Sequence, residues 1–359
     1  MNPVRWDRVR KVLCVRLDGL GDVLMCTPAI RALKQARAGR SVTLLASAAG
    51  AAVAPFIDEL DGVISYRAPW MKSGTPQPAG ADLAFVRTLQ AGGFDAAVIF
   101  TSFSQSALPA ALLCHLAGIP NRLAHCRENP YHLLTDWVAE REPDTGVRHE
   151  VRRQLDLVAG VGCGPDSAKL SFRVRAHDLD HVRCRLAMAG IGAGRPWLLL
   201  HPGASAPSRR YPPARWAELI AALAAAPGYP IVLTGGPDER DLIDQIRAAC
   251  GVPVCSLAGQ LDLGQLGAAI ALARLVVANN TGPAHMAAAL GTPIVSLYAL
   301  TNPQHAPWQV EHQLLFHDLP CRFCYKSVCP QGHNDCLAKI APARVADAVR
   351  GLLAGPRKV

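Results

Sequence analysis

The sequence is poor in aromatic residues and contains no long apolar run. Phenylalanine, tryptophan and tyrosine make up only 6% of its 359 residues, so aliphatic side chains must form most of the core. The longest apolar stretches are about ten residues, which is too short to span a bilayer. The first apolar run, 12–17, is short and contains Arg16, unlike the apolar region of a signal peptide. These absences exclude a membrane-spanning chain and predict a cytoplasmic protein.

Cysteine is abundant, with 12 residues, but a cytoplasmic setting argues against a disulfide scaffold. One loop-like segment, 321–336, contains four closely spaced thiols: Cys321, Cys324, Cys329 and Cys336. This spacing favours a structural zinc or iron ion bound by thiolates, with unligated thiols and disulfides as alternatives. Because the segment follows the other motifs in the chain, we expect it to lie apart from them and to have no catalytic role.

The chain is basic, with a formal net charge of +9. No basic stripe interleaved with aromatic residues is present, so a nucleic-acid partner is not expected. Arg31, Lys34 and Arg37 lie along one face of the first predicted helix. They form either a solvated helix face or a contact surface for an acidic acceptor or the anionic inner leaflet of the membrane, where the protein would bind peripherally.

Predicted strands and helices alternate along the chain, which indicates an α/β protein with parallel sheets and helices on both faces. The length favours two domains, and we place the boundary between 175 and 176, giving domains 1–175 and 176–359. Strands are expected near 12–17, 41–46, 62–66 and 95–100 in the first domain and near 197–201, 230–234, 274–278 and 293–297 in the second.

A glycine turn follows the first predicted strand. Gly19 and Gly21 allow the backbone to turn sharply, and Asp22 then lies at the start of a helix. The turn does not match the dinucleotide fingerprint, because Leu24 stands where the third glycine belongs and no acidic residue ends the strand at 41–47. A nicotinamide site is therefore not expected here, and Asp22 is either a helix-stabilising carboxylate or a group that faces a ligand.

A loop suited to a diphosphate follows the strand at 197–201. It offers the backbone N–H groups of Gly203, Ala204 and Ser205 and the hydroxyl of Ser205. The guanidinium of Arg209 follows in the same loop. Backbone donors and a charge-assisted, bidentate arginine are the groups that a diphosphate requires. The alternative interpretation is a solvated basic turn.

A second anion-binding turn follows the strand at 274–278. Asn280 or Thr281 is suited to cap a helix, Gly282 and Pro283 fit its first turn, and the ring of His285 lies close enough to reach a bound phosphate. Free N–H groups and the helix dipole make such an end favourable for an anion. An ordinary capped helix is the alternative.

Together these motifs resemble glycosyltransferase family 9, the bacterial heptosyltransferases that add heptose to the lipopolysaccharide inner core. The matching segments occur in the family order and span about residues 11 to 340. They are Leu20-Gly21-Asp22, His201-Pro202-Gly203 with its basic exit, Thr234-Gly235-Gly236-Pro237, Ser256-Leu257-Ala258-Gly259 and Asn280-Thr281-Gly282-Pro283-Ala284-His285.

The resemblance implies the GT-B architecture, in which two Rossmann-like domains face each other across a cleft. The first domain would bind the acceptor, and the second would bind the nucleotide sugar and end in a helix near 341–354 that packs back on the first. It implies inverting transfer from ADP-heptose to a saccharide or a lipid-linked saccharide such as the lipopolysaccharide core. It also implies a reaction without a catalytic metal, and the Cys-rich C-terminal segment of some members is associated with iron.

The resemblance also suggests roles for individual residues. Asp22 is the expected general base, and Gly21 and Arg127 are assigned to the acceptor side. The expected donor-binding residues are Gly203, Ala204, Ser205, Arg209, Asn280, Thr281, Gly282, Pro283 and His285.

Two departures from the family pattern leave the donor open. Many relatives have aspartate at the position of Asn280, and several have lysine at the position of Arg209. An amide and a guanidinium would contact sugar and phosphate differently. A hexose or N-acetylhexosamine nucleotide is therefore an alternative donor, and a nucleotide-sugar 2-epimerase or an inactive binding protein is an alternative function.

Overall fold

The computed structural model describes residues 6–72, 78–226, 228–299 and 302–355. The chain divides into two compact units, Met1–Ser171 and Phe172–Val359. This division falls a few residues before the boundary at 175/176 that the sequence predicts. Each unit is built on its own parallel sheet.

The first unit contains a six-stranded parallel sheet. Its strands are β1 Lys11–Arg16, β2 Ser41–Ala46, β3 Gly62–Ser65, β4 Ala96–Ile99, β5 Asn121–Cys126 and β6 Asp136–Ala139. Their order across the sheet is β3-β2-β1-β4-β5-β6, and every neighbouring pair is parallel. The strand order therefore reverses between β1 and β4, which is the point where doubly wound sheets bind ligands.

Helices connect the strands of the first unit. They are α1 Leu20–Gln35, α2 Ala48–Ala51, α3 Ala79–Ala91, α4 Leu108–Leu116 and α5 Glu150–Ala159. Helix α1 begins immediately after the glycine turn, with Gly19 as its N-cap, and it packs on α5. This contact brings Glu150, at the start of α5, towards the end of β1.

The second unit repeats the same arrangement. Its strands are β7 Leu198–His201, β8 Ile231–Leu233, β9 Cys255–Ser256, β10 Leu275–Asn279, β11 Ile294–Leu297 and β12 His312–Leu315. The order is β12-β11-β10-β7-β8-β9, again parallel throughout, with its reversal between β7 and β10. Its helices are α6 Ala176–Met188, α7 Pro213–Ala225, α8 Arg240–Cys250, α9 Leu263–Leu272, α10 Gly282–Leu290, α11 Asp335–Ala338 and α12 Pro342–Ala354.

Aliphatic side chains form most of both cores. Every residue of β4, β7, β10 and β11 is buried, as expected for strands covered on both faces. In the second unit, the ring of Trp216 is fully buried and meets Tyr211 edge to face, with ring centroids 5.7 Å apart. The C-terminal helix α12 packs on α7, a contact within its own unit. No helix in the described parts of the chain combines the length and apolar character that crossing a membrane requires.

The eight strands that the sequence predicts are all present, whereas β5, β6, β9 and β12 were missed. Strand β5 was missed because it lacks an apolar run. Its side chains Arg122 and His125 are nevertheless buried. The guanidinium of Arg122 donates to the carbonyl oxygens of Leu133 and His132, at 2.7 and 2.8 Å, so its hydrogen-bonding groups are satisfied inside the unit. A buried strand can therefore carry a charged side chain when backbone carbonyls surround it.

The basic face of α1 is used inside the first unit. Arg31 pairs with Glu59 at 2.8 Å and Lys34 pairs with Asp61, while Arg37 donates to a backbone carbonyl. The side chain of Arg31 is only 16% exposed as a result. These contacts favour a structural role for the three cations over a membrane-binding or acceptor-binding face.

The close packing of α9 gives a matched pair of glycine substitutions. A Cβ atom on Gly267 would overlap the ring of Phe172, whereas a Cβ atom on Gly351, in α12, would meet nothing within 4 Å. We expect Gly267→Ala to lower the free energy of unfolding by about 1–3 kcal/mol through overpacking. Gly351→Ala should raise it by about 0.5–1 kcal/mol, because alanine favours the helix. Thermal unfolding of both variants tests this, and equal or reversed shifts would contradict the packing described.

Candidate active site

In the second unit, the loops that follow β7 and β10 meet where the strand order reverses. Asn279, the last residue of β10, joins them and is fully buried. Its Nδ2 donates to the carbonyl oxygen of Pro202 at 2.6 Å, and its Oδ1 accepts from the N–H of Tyr211 at 3.2 Å. The loop at 202–211 is thus held beside the start of α10. Sequence reasoning singled out Asn280 and missed Asn279, because nothing in the sequence distinguishes two adjacent asparagines.

The start of α10 has the open geometry of an anion site. Thr281 is the N-cap in an extended conformation, and its side chain does not cap the helix. Gly282 and Pro283 form the first turn, as the sequence predicts. The backbone N–H groups of this turn and the positive end of the helix dipole therefore remain directed towards a ligand.

Several buried polar atoms near this turn lack a partner within the described residues. They are the hydroxyl of Thr281, the Nε of Arg209 and both amide atoms of Gln304. The Gln304 side chain is only 2% exposed. Because buried polar groups are normally hydrogen-bonded, such a group of unpaired atoms indicates a place for a polar ligand or ordered water. Gln304 lies outside every motif, so the sequence offered no signal for it.

Arg209 and Arg210 differ in their surroundings. Arg209 is half-buried, and its Nη2 lies 3.5 Å from the Oδ1 of Asn302. Burial of Tyr298 raises the pKa of that tyrosine, and the nearby charge of Arg209 lowers it. Arg210 is exposed and its Nε donates to the carbonyl oxygen of Ala204 at 2.8 Å. Arg209 is therefore the more buried arginine of the two, and its role in binding the donor stays a prediction.

The other predicted donor-side residues are also present at this end of the sheet. Gly203 and Ala204 are buried, while Ser205 is exposed. Asn280 is buried with its side chain beside Tyr298. His285 is 5% exposed, deeper in α10 than the first turn, and its ring centroid lies 6.5 Å from that of His305.

Glu239 is a further residue at this site that the sequence motifs did not identify. Its carboxylate lies against Gly203, in the space that a Cβ atom there would occupy. One oxygen accepts from the N–H of Gly236 at 2.8 Å and lies 3.7 Å from Nε2 of His201. Burial lowers the pKa of His201, and the nearby Glu239 acts in the opposite direction. The absence of a side chain at Gly203 thus admits a carboxylate to the loop.

In the first unit, a buried arginine binds three carboxylates at the end of β1. Arg16 is 1% exposed, and its guanidinium lies 3.0 Å from Asp18, 3.0 Å from Asp22 and 2.7 Å from Glu150. Burial alone would lower the pKa of Arg16, but the three carboxylates raise it well above the usual range. Such a charge is tolerated in the interior only because it is paired on all sides.

Asp22 is held on both oxygens. Oδ1 accepts from Arg16, and Oδ2 accepts from the N–H of Gly19 at 3.2 Å, at the N-terminus of α1. Its side chain remains 25% exposed. The position favours an ionised carboxylate in a fixed orientation, because both the arginine and the helix dipole stabilise negative charge.

A cavity of about 1210 Å³ opens at the reversal point of the first sheet. Its polar lining includes Asp18, Thr101 and Gln105, and an aromatic wall includes Tyr66 and Phe85, which stack with centroids 4.0 Å apart. A cavity of this size with a mixed lining suits a substrate larger than a single sugar. Of the residues assigned to the acceptor side, Gly21 lies in the first turn of α1 and is not part of this lining.

Arg127, the other residue assigned to the acceptor side, lines a smaller polar cavity of about 180 Å³. Its guanidinium donates to the backbone carbonyls of Phe103 and Glu142. The same cavity is lined by His125, whose pKa is lowered to about 4 by burial and by the adjacent Arg153. Gln105 lines both cavities, so Arg127 lies beside the large cavity without lining it.

The four clustered cysteines surround one small cavity of about 30 Å³, together with His333 and Ser208. None of the four forms a disulfide within the described residues. In the described portion of the chain, no three histidine, cysteine or acidic side chains already meet in the geometry of a metal site. Phe323, Tyr325 and Asn334 have φ angles of 33°, 52° and 52°, a left-handed conformation that persists only where the surroundings impose it.

The expectation that this segment lies apart from the donor motifs is wrong. Ser208, next to Arg209, is buried and joins the two regions. Its N–H donates to the carbonyl oxygen of Ser327 at 3.0 Å, and its hydroxyl donates to that of Lys326 at 2.8 Å. Asn334 adds a contact to the carbonyl oxygen of Arg210 at 3.3 Å. Sequence order concealed this contact, because the segment returns to the loop after more than a hundred residues.

The family model described as glycosyltransferase family 9 (heptosyltransferase) matches residues 83–334. The chain belongs to glycosyltransferase family 9. It is 26% identical to lipopolysaccharide heptosyltransferase 2 of Escherichia coli K12 over 365 aligned positions, which cover 96% of this chain and 98% of the relative.

Solved structures share the fold of this family 9 chain. A family 9 glycosyltransferase from Veillonella parvula superposes with a TM-score of 0.79 at 20% identity, over 98% of this chain and 99% of the other. The E. coli ADP-heptose lipopolysaccharide heptosyltransferase II gives a TM-score of 0.72 at 23% identity, over 96% and 98%. The two Rossmann-like units are thus those of a GT-B glycosyltransferase.

Proposed function

We propose that this enzyme transfers heptose from ADP-heptose to a saccharide acceptor of the lipopolysaccharide core, with inversion. The observation that supports the proposal is the open start of α10, where the Thr281 side chain does not cap the helix and its buried hydroxyl has no hydrogen-bond partner among the described residues. Membership of family 9 and the relatives named as heptosyltransferases support the choice of sugar. The proposal places the enzyme at the cytoplasmic side of the membrane, where a lipid-linked acceptor would be available.

The donor diphosphate is assigned to the second unit. The N–H groups at Thr281 and Gly282 and the guanidinium of Arg209 would bind the phosphate oxygens, and the loop at Gly203 and Ala204 would lie alongside. As the bond from the anomeric carbon to the diphosphate breaks, its electron pair moves to a phosphate oxygen. Fixed donors at that oxygen stabilise the departing ADP, and the proposal includes no catalytic metal.

The acceptor is assigned to the cavity in the first unit, which Asp18 and Gly19 line. Asp22, which is partly exposed and binds the same guanidinium as Asp18, is assigned as the general base. An acceptor hydroxyl oxygen would form the new bond to the anomeric carbon while its proton passes to the Asp22 carboxylate. The fixed orientation of Asp22 between Arg16 and Gly19 supports this assignment. Gly21 is part of the same turn, and Arg127 would contact an acceptor group that extends into the smaller cavity.

Asn280 stands where many relatives have aspartate, so the choice of sugar is tested with a panel of donors. Purified enzyme is incubated with ADP-, UDP- and GDP-sugars and a deacylated core saccharide from a heptose-deficient bacterium. Formation of a heptosylated product from ADP-heptose alone is the expected result. Transfer from a hexose or N-acetylhexosamine nucleotide instead would overturn the proposed donor while leaving the enzyme class intact.

The role of Asp22 is tested by Asp22→Asn. The amide keeps the shape of the side chain but cannot take up the proton, so we expect kcat to fall roughly 10²–10⁴-fold. The affinity for ADP should stay close to that of the wild type, because ADP binds in the other unit. The melting temperature should fall, because the buried Arg16 loses one of its three carboxylates. Near-normal transfer by the folded variant would remove Asp22 from the mechanism.

The phosphate-binding role of Arg209 is tested by Arg209→Ala, with its exposed neighbour Arg210→Ala as the matched control. Loss of a charge-assisted bond should weaken ADP binding by about 1.5–3 kcal/mol in calorimetry. The control should change the affinity much less, because Arg210 is exposed and its Nε is already used by the carbonyl oxygen of Ala204. If only Arg210→Ala weakened binding, the neighbouring arginine would be the phosphate ligand.

We also propose that Cys321, Cys324, Cys329 and Cys336 hold a structural zinc or iron ion. Four thiols around one cavity match the ligand number and chemistry of a tetrahedral site. The ion would fix the strained segment and, through the Ser208 hydrogen bonds, the loop that carries Arg209.

Removal of one thiol tests the metal site. Cys324→Ser should lower the metal content from about one ion per chain, and it should lower both the melting temperature and the affinity for ADP. The exposed thiol Cys184 provides the control, and Cys184→Ser should change none of these quantities. Elemental analysis that finds no zinc or iron in the wild type, with four freely alkylated thiols, would exclude the ion.

A further inference from the structure

Asp18 lies at the reversal point of the first sheet and has no role in the reaction as proposed above. It lines the large cavity, whereas Asp22 does not. Its side chain is 20% exposed, so one edge of the carboxylate is accessible to a ligand. Its backbone is fixed because its carbonyl oxygen accepts from the hydroxyl of Ser47 at 2.6 Å.

Gln105 fixes the orientation of the Asp18 carboxylate. The Oε1 atom of Gln105 accepts from the N–H of Ser102 at 3.0 Å, so the amide group presents its Nε2 to Asp18. That nitrogen donates to Oδ1 of Asp18 at 2.7 Å. Because the donor is held by the backbone, the carboxylate stays turned towards the cavity wall that Gln105 also forms.

The Asp18 carboxylate belongs to the cluster of ion pairs around Arg16. Burial raises the pKa of Asp18, Arg16 lowers it, and Asp22 raises it further, while the hydrogen bond from Gln105 lowers it. The guanidinium of Arg16 forms ion pairs with three carboxylates, those of Asp18, Asp22 and Glu150. Like charges that share one counter-ion make each carboxylate bind a proton more readily.

A second polar residue lines the same cavity from the other side of the reversal point. The side chain of Thr101, just after β4, is 9% exposed, and its hydroxyl has no hydrogen-bond partner among the described residues. Thr101 follows β4 as Asp18 follows β1, and both line the cavity. A buried hydroxyl and a carboxylate at the end of two adjacent strands fit a ligand that carries several hydroxyl groups.

We propose that Asp18 is a second carboxylate of the acceptor site, which accepts a hydrogen bond from a saccharide hydroxyl and, through Arg16, keeps Asp22 basic. The inference rests on the proposed function, because it assigns the cavity to the acceptor saccharide. During transfer the proton of the attacking hydroxyl still passes to Asp22, the new bond forms at the anomeric carbon, and ADP leaves with the electron pair. Asp18 exchanges no proton and contacts the acceptor only.

The pH dependence of the reaction reports this role. The charged and titratable groups that face Asp22 are Arg16 from β1, Asp18 from the turn, Cys26 from α1 and Glu150 from α5. Burial raises the pKa of Cys26 far above neutrality, so that thiol stays uncharged. Removing the charge of Asp18 therefore leaves one negative neighbour fewer around Asp22, which then binds its proton less tightly.

Asp18→Asn tests the proposal, with the deacylated core saccharide from a heptose-deficient bacterium as the probe. We expect its dissociation constant in calorimetry and its KM in transfer to rise about 10- to 100-fold, as for a lost hydrogen bond to a charged group. The KM for ADP-heptose should not change. The acidic limb of the kcat/KM profile should move to lower pH by on the order of one unit.

Two further variants separate this role from a general effect on folding. Asp180→Asn, on the exposed surface of α6, makes the same chemical change and should alter none of these quantities. Thr101→Val keeps all charges and should raise the KM for the saccharide about 3- to 10-fold without moving the pH profile. It also tests the cavity if Asp18→Asn does not fold.

The outcomes distinguish this inference from the proposed function. If the wild type neither binds nor glycosylates the saccharide, the proposed function fails and the inference fails with it. If the wild type is active but Asp18→Asn and Thr101→Val both leave saccharide binding unchanged, the proposed function stands and the inference is overturned. An unchanged acidic limb in a folded, active Asp18→Asn variant would overturn the coupling to Asp22.

Discussion

Parallel pairing of two strands whose connections leave in opposite directions is the constraint on which both sites depend. In the first unit the pair is β1 and β4, and in the second it is β7 and β10. The connections that leave the two strands of each pair run towards opposite edges of the sheet. They therefore do not cover the carboxyl ends of these strands. The first pair places Asp18 beside Thr101, and the second places the loop at Gly203 beside Thr281.

The two units differ in how their buried charged and polar groups are paired. In the first unit, Arg16 carries a charge that three carboxylates balance, so the charge, though not every hydrogen-bonding atom of the cluster, is satisfied without a ligand. In the second unit, Gln304 and Thr281 retain polar atoms without partners among the described residues. A satisfied cluster holds a base in a fixed orientation, whereas an unsatisfied one gains free energy when a ligand supplies the missing bonds.

The strands and turns that the sequence predicts are those with local signals. Strands such as β7 and β10 are apolar runs, and glycine, proline and N-cap residues mark the turns that follow them. The strand β5 was missed because Arg122 and His125 interrupt its apolar pattern, and only neighbouring carbonyls make their burial possible. Among the site residues, Asn279 and Glu239 were missed because each acts through a contact with a segment distant in sequence. Gln304 was missed because it lies outside every motif.

The sequence alone therefore determined the fold class, the two domains and the turns that carry Asp22, Arg209 and Thr281, since short-range patterns encode all of these. Only the tertiary structure decided that Asp18 faces a cavity while Asp22 does not. It also decided that Ser208 ties the Cys-rich segment to the donor loop, against the expectation from sequence order. The physical reason is that a side chain's environment depends on which segments pack around it, and long-range packing follows from the whole chain rather than from local spacing.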